Sequence, residues 1–219
     1  MEDEEHALAA ADRLEPPWMF RGHDMGRILA LSDGVFAFAM TLLVLGLTLP
    51  LSTKGGAVGA YLRTQPFQMA IYAYVLTFFV IGMWWQGHHL IFGYIEQFDR
   101  VLIRANTMFL VTIAILPFAT IVLNAADSDP VGVVFFAVTQ IVAGLSLATI
   151  WWYAAGPGHL VGEGIPAEWR RYLRRSSLFM PVIFAISIPV AFFSVTAAEG
   201  VWLLVFVLWF VSRRFARRL

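Results

Sequence analysis

The chain reads as long apolar runs separated by short polar segments. A hydrocarbon core of ~30 Å takes about 20 helical residues, and four runs meet that length in succession. The first extends from Arg27 to Leu49 and stops at Pro50. The second extends from about Phe67 to Tyr94. The third covers Leu102 to Leu123, with Asn106 near its start and Pro117 inside. The fourth covers Val131 to Ala155. A polar connection over 156–175, rich in Gly, Pro and Arg, leads into one apolar stretch of 38 residues, Ser176 to Arg213. As one helix that stretch would be about 57 Å long, far beyond a bilayer. A hairpin turning near Thr196–Gly200 is therefore expected, giving a fifth and a shorter sixth span. The pattern predicts an all-α integral membrane protein with six transmembrane helices per subunit over residues 27–215. Residues 1–26 form an N-terminal tail, and 216–219 a short C-terminal end. The first run is too long for a cleaved leader and lacks a small-residue cleavage site, so it reads as a retained anchor.

The distribution of basic residues orients these spans. With six spans, the N-terminus, the second and fourth connections and the C-terminus share one side. That side holds Arg13, Arg21, Arg27, Arg100, Arg104, Arg170, Arg171, Arg174, Arg175, Arg213, Arg214, Arg217 and Arg218. The opposite side holds Lys54 and Arg63. This asymmetry places both termini in the cytoplasm. Paired tryptophans at 84–85 and 151–152 fit aromatic belts near span ends.

Composition agrees and narrows the function. The chain is 59% hydrophobic and only 14% charged, against roughly 25% charged for a soluble domain. Zero net charge gives no attraction to nucleic acid. The absence of cysteine excludes disulfides, thiolate metal sites and cysteine nucleophiles. No phosphate loop, HExxH or Gly-x-Ser-x-Gly motif is present, so the chain does not read as an enzyme. His88 and His89 are adjacent, so on a helix they point about 100° apart and do not share one metal. No metal or cofactor is expected.

Two groups of residues bear on function. Arg27, Ser32 and Asp33 open the first span, His88 and His89 close the second, and Asn106 opens the third. The topology puts all six at one depth on the cytoplasmic side. Unpaired polar groups are expensive there, so they are expected to meet as an inter-helix polar clamp. The clamp either simply locks the first helix or also gates, with histidine giving sensitivity to pH. The second group is a stripe at helical spacing: Gly34, Phe38, Thr41, Leu45 and Thr48. In a lone bundle this is a packing face. In a symmetric oligomer it makes stacked rings, one apolar and able to exclude water, one of hydroxyls able to coordinate a dehydrating cation. The pattern alone leaves both readings open.

At these residues the chain resembles a known family. Arg27-x-x-x-Leu31-Ser32-Asp33-Gly34-Val35-Phe36-Ala37-x-Ala39-x-Thr41-Leu42-Leu43 is similar to the first-helix signature, Arg-x-x-x-Phe-Ser-Asp, of the bacterial relatives of the lysosomal/endosomal transmembrane potassium-leak channel. Trp84-x-x-Gly-His88-His89, and Asn106 followed by Leu116-Pro117-Phe118, look like its second- and third-helix motifs. The resemblance implies a homotetramer with the first helix lining a potassium-permeable pore and no Thr-Val-Gly-Tyr-Gly filter. It implies an apolar constriction at Phe38 and a hydroxyl ring at Thr41. It also implies linkage of the signature residues to histidine and asparagine on neighbouring helices. Leu45 is a candidate second gate ring. Leu31 stands where the family has phenylalanine, and Phe38 where it has isoleucine or leucine.

The expected function is thus a potassium-permeable cation channel of the bacterial plasma membrane, with the bilayer, K⁺ and further copies of the chain as partners. The rival is a proton-coupled secondary transporter using Asp33 and His88/His89 as a relay. A membrane scaffold without flux is favoured only for a monomer.

Overall fold

The structure, a computed structural model, describes residues 23–49, 57–162 and 164–216. Most of the expected N-terminal tail, the loop residues 50–56 and the C-terminal end from 217 lie outside the described residues.

Helix α1 (His23–Leu42) begins four residues before Arg27. It tightens into a 3-10 turn over Leu43–Gly46, and Leu47–Leu49 are no longer helical. The first span is therefore shifted toward the N-terminus relative to expectation. A short α2 (Ala57–Tyr61) precedes α3 (Gln65–Phe92). Pro66 sits in the first turn of α3, where a missing N–H costs nothing. The next helix, α4 (Arg100–Ala114), is capped by Asp99, whose Oδ1 accepts from the Leu102 amide at 2.8 Å.

The expected third span is two helices. After α4 the chain restarts as α5 (Leu116–Ala125), with Pro117 in its first turn. Pro117 has no N–H to return to the preceding turn, but Ile115 keeps right-handed helical angles and the Ala119 amide donates to its carbonyl at 3.0 Å, so Arg100–Ala125 remains one candidate span of 26 residues. Helix α6 (Pro130–Ala154) opens on an Asp129 cap, with Oδ1 accepting from the Val131 amide at 2.9 Å.

Helix α6 is apolar on every side and is the hub of the bundle. It packs against α4, α5 and α8, and more lightly against α3, α7 and α9. Gly144 makes this close approach possible. A Cβ there would overlap the Pro181 ring of α8 and stand 2.9 Å from Cη2 of Trp84 on α3. One turn earlier, the Trp84 indole N–H donates to Oε1 of fully buried Gln140 at 2.7 Å.

The chain then forms α7 (Ala167–Ser176), α8 (Phe179–Ala191) and α9 (Val195–Ala216). The hairpin falls at Phe192–Ser194, earlier than the expected Thr196–Gly200. Ser194 Oγ accepts from the Ala197 amide at 3.2 Å and so starts α9. Glu199 and Gly200 lie inside that helix. As helices α8 has 13 residues and α9 has 22, but together with α7 the fifth apolar segment runs over Ala167–Ala191, 25 residues. Among the described residues five segments are long and apolar enough to cross a membrane, and Val195–Val207 is a shorter apolar helix. The protein is an all-helical, multi-pass membrane protein.

Candidate functional site

Helix α1 has two faces, and burial separates them without overlap. Ser32, Phe36, Ala39 and Leu43 are buried against α3, α4 and α5. Leu31, Gly34, Phe38, Thr41, Leu45 and Thr48 are exposed. Phe38 and Leu45, at 65% and 64% exposed, are among the most open large side chains of the span. The candidate gate and selectivity residues thus lie together on a face that no described residue covers.

Thr41 has a specific geometry within that face. Its hydroxyl donates to the Phe38 carbonyl at 2.8 Å. The proton is spent on the backbone, and the oxygen lone pairs remain available as acceptors, which is what a cation requires.

Behind this face three expected clamp residues form one directed chain of hydrogen bonds. The Ser32 hydroxyl donates to the Ile28 carbonyl at 2.9 Å, and its oxygen accepts from Nδ2 of Asn106 at 3.0 Å. Asn106 Oδ1 in turn accepts from Nε2–H of His88 at 2.9 Å. With the Ser32 proton committed to Ile28, the Asn106 amide must present its NH₂ to Ser32 and its carbonyl to His88. His88 then carries a proton on Nε2. All three residues are essentially inaccessible to solvent, and the His88 ring stacks on Phe92 at 4.2 Å and lies edge-on to Phe36. The chain ties α1, α3 and α4 together.

The remaining three candidates are placed otherwise. Asp33 lies at the edge of the exposed face, and its Oδ1 accepts from the Trp85 indole N–H at 2.8 Å. His89 does not join His88. It is exposed and stacks on Trp85, ring centroids 5.5 Å apart. Adjacent histidines diverge on a helix, so one is buried and the other is not. Arg27 is exposed and makes no hydrogen bond or ion pair with another described residue. The single six-residue clamp is therefore corrected to two units, Ser32–Asn106–His88 and Asp33–Trp85–His89, with Arg27 apart.

Sequence reasoning missed Trp85, which it assigned to an aromatic belt. Its spacing of four from His89 puts both on one helix face, and that was the available signal. Gln140 was missed too, although a lone amide in an apolar run signals a buried partner. The buried Thr120–Thr77 hydroxyl pair at 3.1 Å, linking α5 to α3, carried no sequence signal.

Comparison with known proteins places this architecture. Residues 27–117 match the family described as endosomal/lysosomal potassium channel TMEM175. Over 176 residues the chain is 30% identical to "Potassium channel B446_29190" of Streptomyces collinus, covering 78% of this chain and 84% of that protein. Over 184 residues it is 28% identical to "Potassium channel Cha6605_3372" of Chamaesiphon minutus, covering 81% and 89%. The fold is similar to the crystal structure of a lysosomal potassium-selective channel TMEM175 homolog from Chamaesiphon minutus, with a TM-score of 0.71 and 26% identity, covering 90% of this chain and 98% of that one. These relatives are named as ion channels, in agreement with a sequence that carries no enzyme motif. The chain belongs to the TMEM175 family, and the residues matched contain both the uncovered face of α1 and the buried hydrogen-bond chain behind it.

Proposed function

We infer that this protein is a potassium-permeable cation channel of the bacterial plasma membrane, with both termini cytoplasmic. Four copies surround an axis, and the uncovered face of α1 lines the pore. Phe38 and Leu45 form apolar rings that exclude water, and Thr41 contributes a ring of oxygen acceptors for weak selectivity. Ser32, Asn106 and His88 hold α1 at its working tilt, and Asp33, Trp85 and His89 brace the cytoplasmic end of the same helix.

One observation carries this reading. Among the described residues α1 leaves Gly34, Phe38, Thr41 and Leu45 open on one side. Lipid would accept phenylalanine and leucine there, but a face that also presents glycine and a threonine acceptor suits a lumen. The names of the Streptomyces and Chamaesiphon relatives support potassium as the permeant ion.

The test is potassium flux into liposomes carrying purified protein, with sodium as competitor. Fast, unsaturating flux is expected. Thr41→Val keeps the shape and removes the acceptor, so it should lower the potassium/sodium permeability ratio while preserving flux. An unchanged ratio removes Thr41 from selectivity. Saturable flux coupled to a proton gradient would instead favour a carrier working through Asp33 and the histidines.

A further inference from the structure

The junction of α7 and α8 carries a pattern that channel function does not use. Four of the ten residues of α7 are arginine. Arg170 is half-buried, and its Nη2 donates to the Gly162 carbonyl at 3.3 Å. Arg171, Arg174 and Arg175 are exposed, and none forms an ion pair with a described carboxylate, including that of Glu168 on the same helix. The Arg174 guanidinium lies 5.2 Å above the ring of Trp152, itself partly exposed.

The depth of these arginines follows from where the apolar part of the segment begins. Ala167–Ala191 is one 25-residue segment long and apolar enough to cross a membrane. Its charged residues all fall in 168–175 and none follows from Ser176 to Ala191, which puts Arg174 and Arg175 at the membrane boundary. Ser177 and Leu178, between the two helices, keep right-handed helical backbone angles. Side-chain spacing therefore carries across the junction. Arg171, Arg175, Phe179, Val182 and Ile186 follow one another at intervals of three or four residues, and all five are exposed. The strip is cationic at the headgroup end and apolar along the bilayer.

The geometry points to a binding strip for one anionic phospholipid, its phosphate held by Arg171, Arg174 and Arg175 and an acyl chain laid along Phe179, Val182 and Ile186. Arginine forks match phosphate oxygens bidentately, and Trp152 holds the Arg174 guanidinium in place by its ring face. The continuity of exposed arginines with exposed Phe179, Val182 and Ile186 on one helical strip distinguishes it from a general basic border, which attracts anionic lipid without holding a chain.

The test uses the full chain in neutral detergent, titrated with dimyristoyl phosphatidylglycerol or dimyristoyl phosphatidylcholine. Retained lipid is counted by native mass spectrometry. Phosphatidylglycerol should be retained far more strongly than phosphatidylcholine. Raising salt from about 0.1 to about 1 M, which shortens the screening length from ~10 to ~3 Å, should weaken that retention. Each Arg→Gln change should cost about fivefold in affinity, and the triple change R171Q/R174Q/R175Q roughly a hundredfold. The triple Lys variant should recover only part of the binding, because lysine keeps the charge and loses the fork and the ring contact. If the triple Gln variant does not fold, single R174Q and the salt titration decide. Equal retention of the two lipids, retention that survives the Gln changes, or displacement by inorganic phosphate at matched ionic strength would overturn the proposal. Retention that persists only without residues 1–5 would assign the arginines to the acidic N-terminal run instead.

Discussion

Phe38→Ala should raise the basal potassium flux of reconstituted protein by about tenfold or more. A ring of phenylalanines at the narrowest level of a pore resists wetting, and an ion crossing it loses hydration that the ring does not replace. Alanine removes most of the apolar surface and widens the path. A barrier lowered by about 1.4 kcal/mol already gives a factor of ten. Phe38 contacts little within its own subunit, being 65% exposed, so the substitution should leave folding and yield near wild type. That separates a gate from a packing residue: a packing residue on this face would cost stability and leave flux unchanged. Unchanged flux would move the constriction to Leu45 or away from α1.

Asn106→Leu should destabilise the protein by about 2–4 kcal/mol. Leucine has the branching and heavy-atom count of asparagine, so the shape is kept while the methyl groups add some bulk. What is lost is the pair of bonds joining α4 to α1 and α3. Interhelical hydrogen bonds in membranes are individually modest, about 0.6–2 kcal/mol. The larger cost comes from leaving His88 Nε2–H and the Ser32 oxygen buried without partners, at roughly 1–3 kcal/mol each. Thermal or denaturant unfolding in detergent checks this. A double-mutant cycle with Ser32→Ala isolates the coupling of the Ser32–Asn106 bond. A loss under about 0.5 kcal/mol would mean that water or a neighbouring group takes over both bonds. Because α1 is held from behind by this chain, the same variant should also disturb flux, unlike a substitution on the lipid-facing side.

The architecture was legible where one physical quantity dominates. Apolar length located the first five spans, since few alternatives to a helix satisfy backbone groups in hydrocarbon. The position of the last hairpin was not legible in the same way. Glu199-Gly200 looks like a turn, yet Glu199 sits half-buried within α9, while the break comes from Ser194 capping the helix after two exposed phenylalanines. In the site, Ser32, Asn106 and His88 were foreseeable because buried polar groups at one depth must pair. The partner of Asp33 was not, because a tryptophan near a span end has an equally good reason to be at the headgroups. Arg27 was grouped by depth alone, and depth does not specify the face. It lies on the uncovered side of α1, away from the Ser32 network.

The central claim is that the open face of α1 lines the conduction path. The native chain has no cysteine, so single cysteines along α1 give a clean readout through block of potassium current by Ag⁺. Cysteine at Gly34, Thr41 or Leu45 should render the current rapidly blockable, and cysteine at Ala39 or Leu43 on the buried face should not. Block confined to the buried positions, or absent along the whole of α1, would contradict the account.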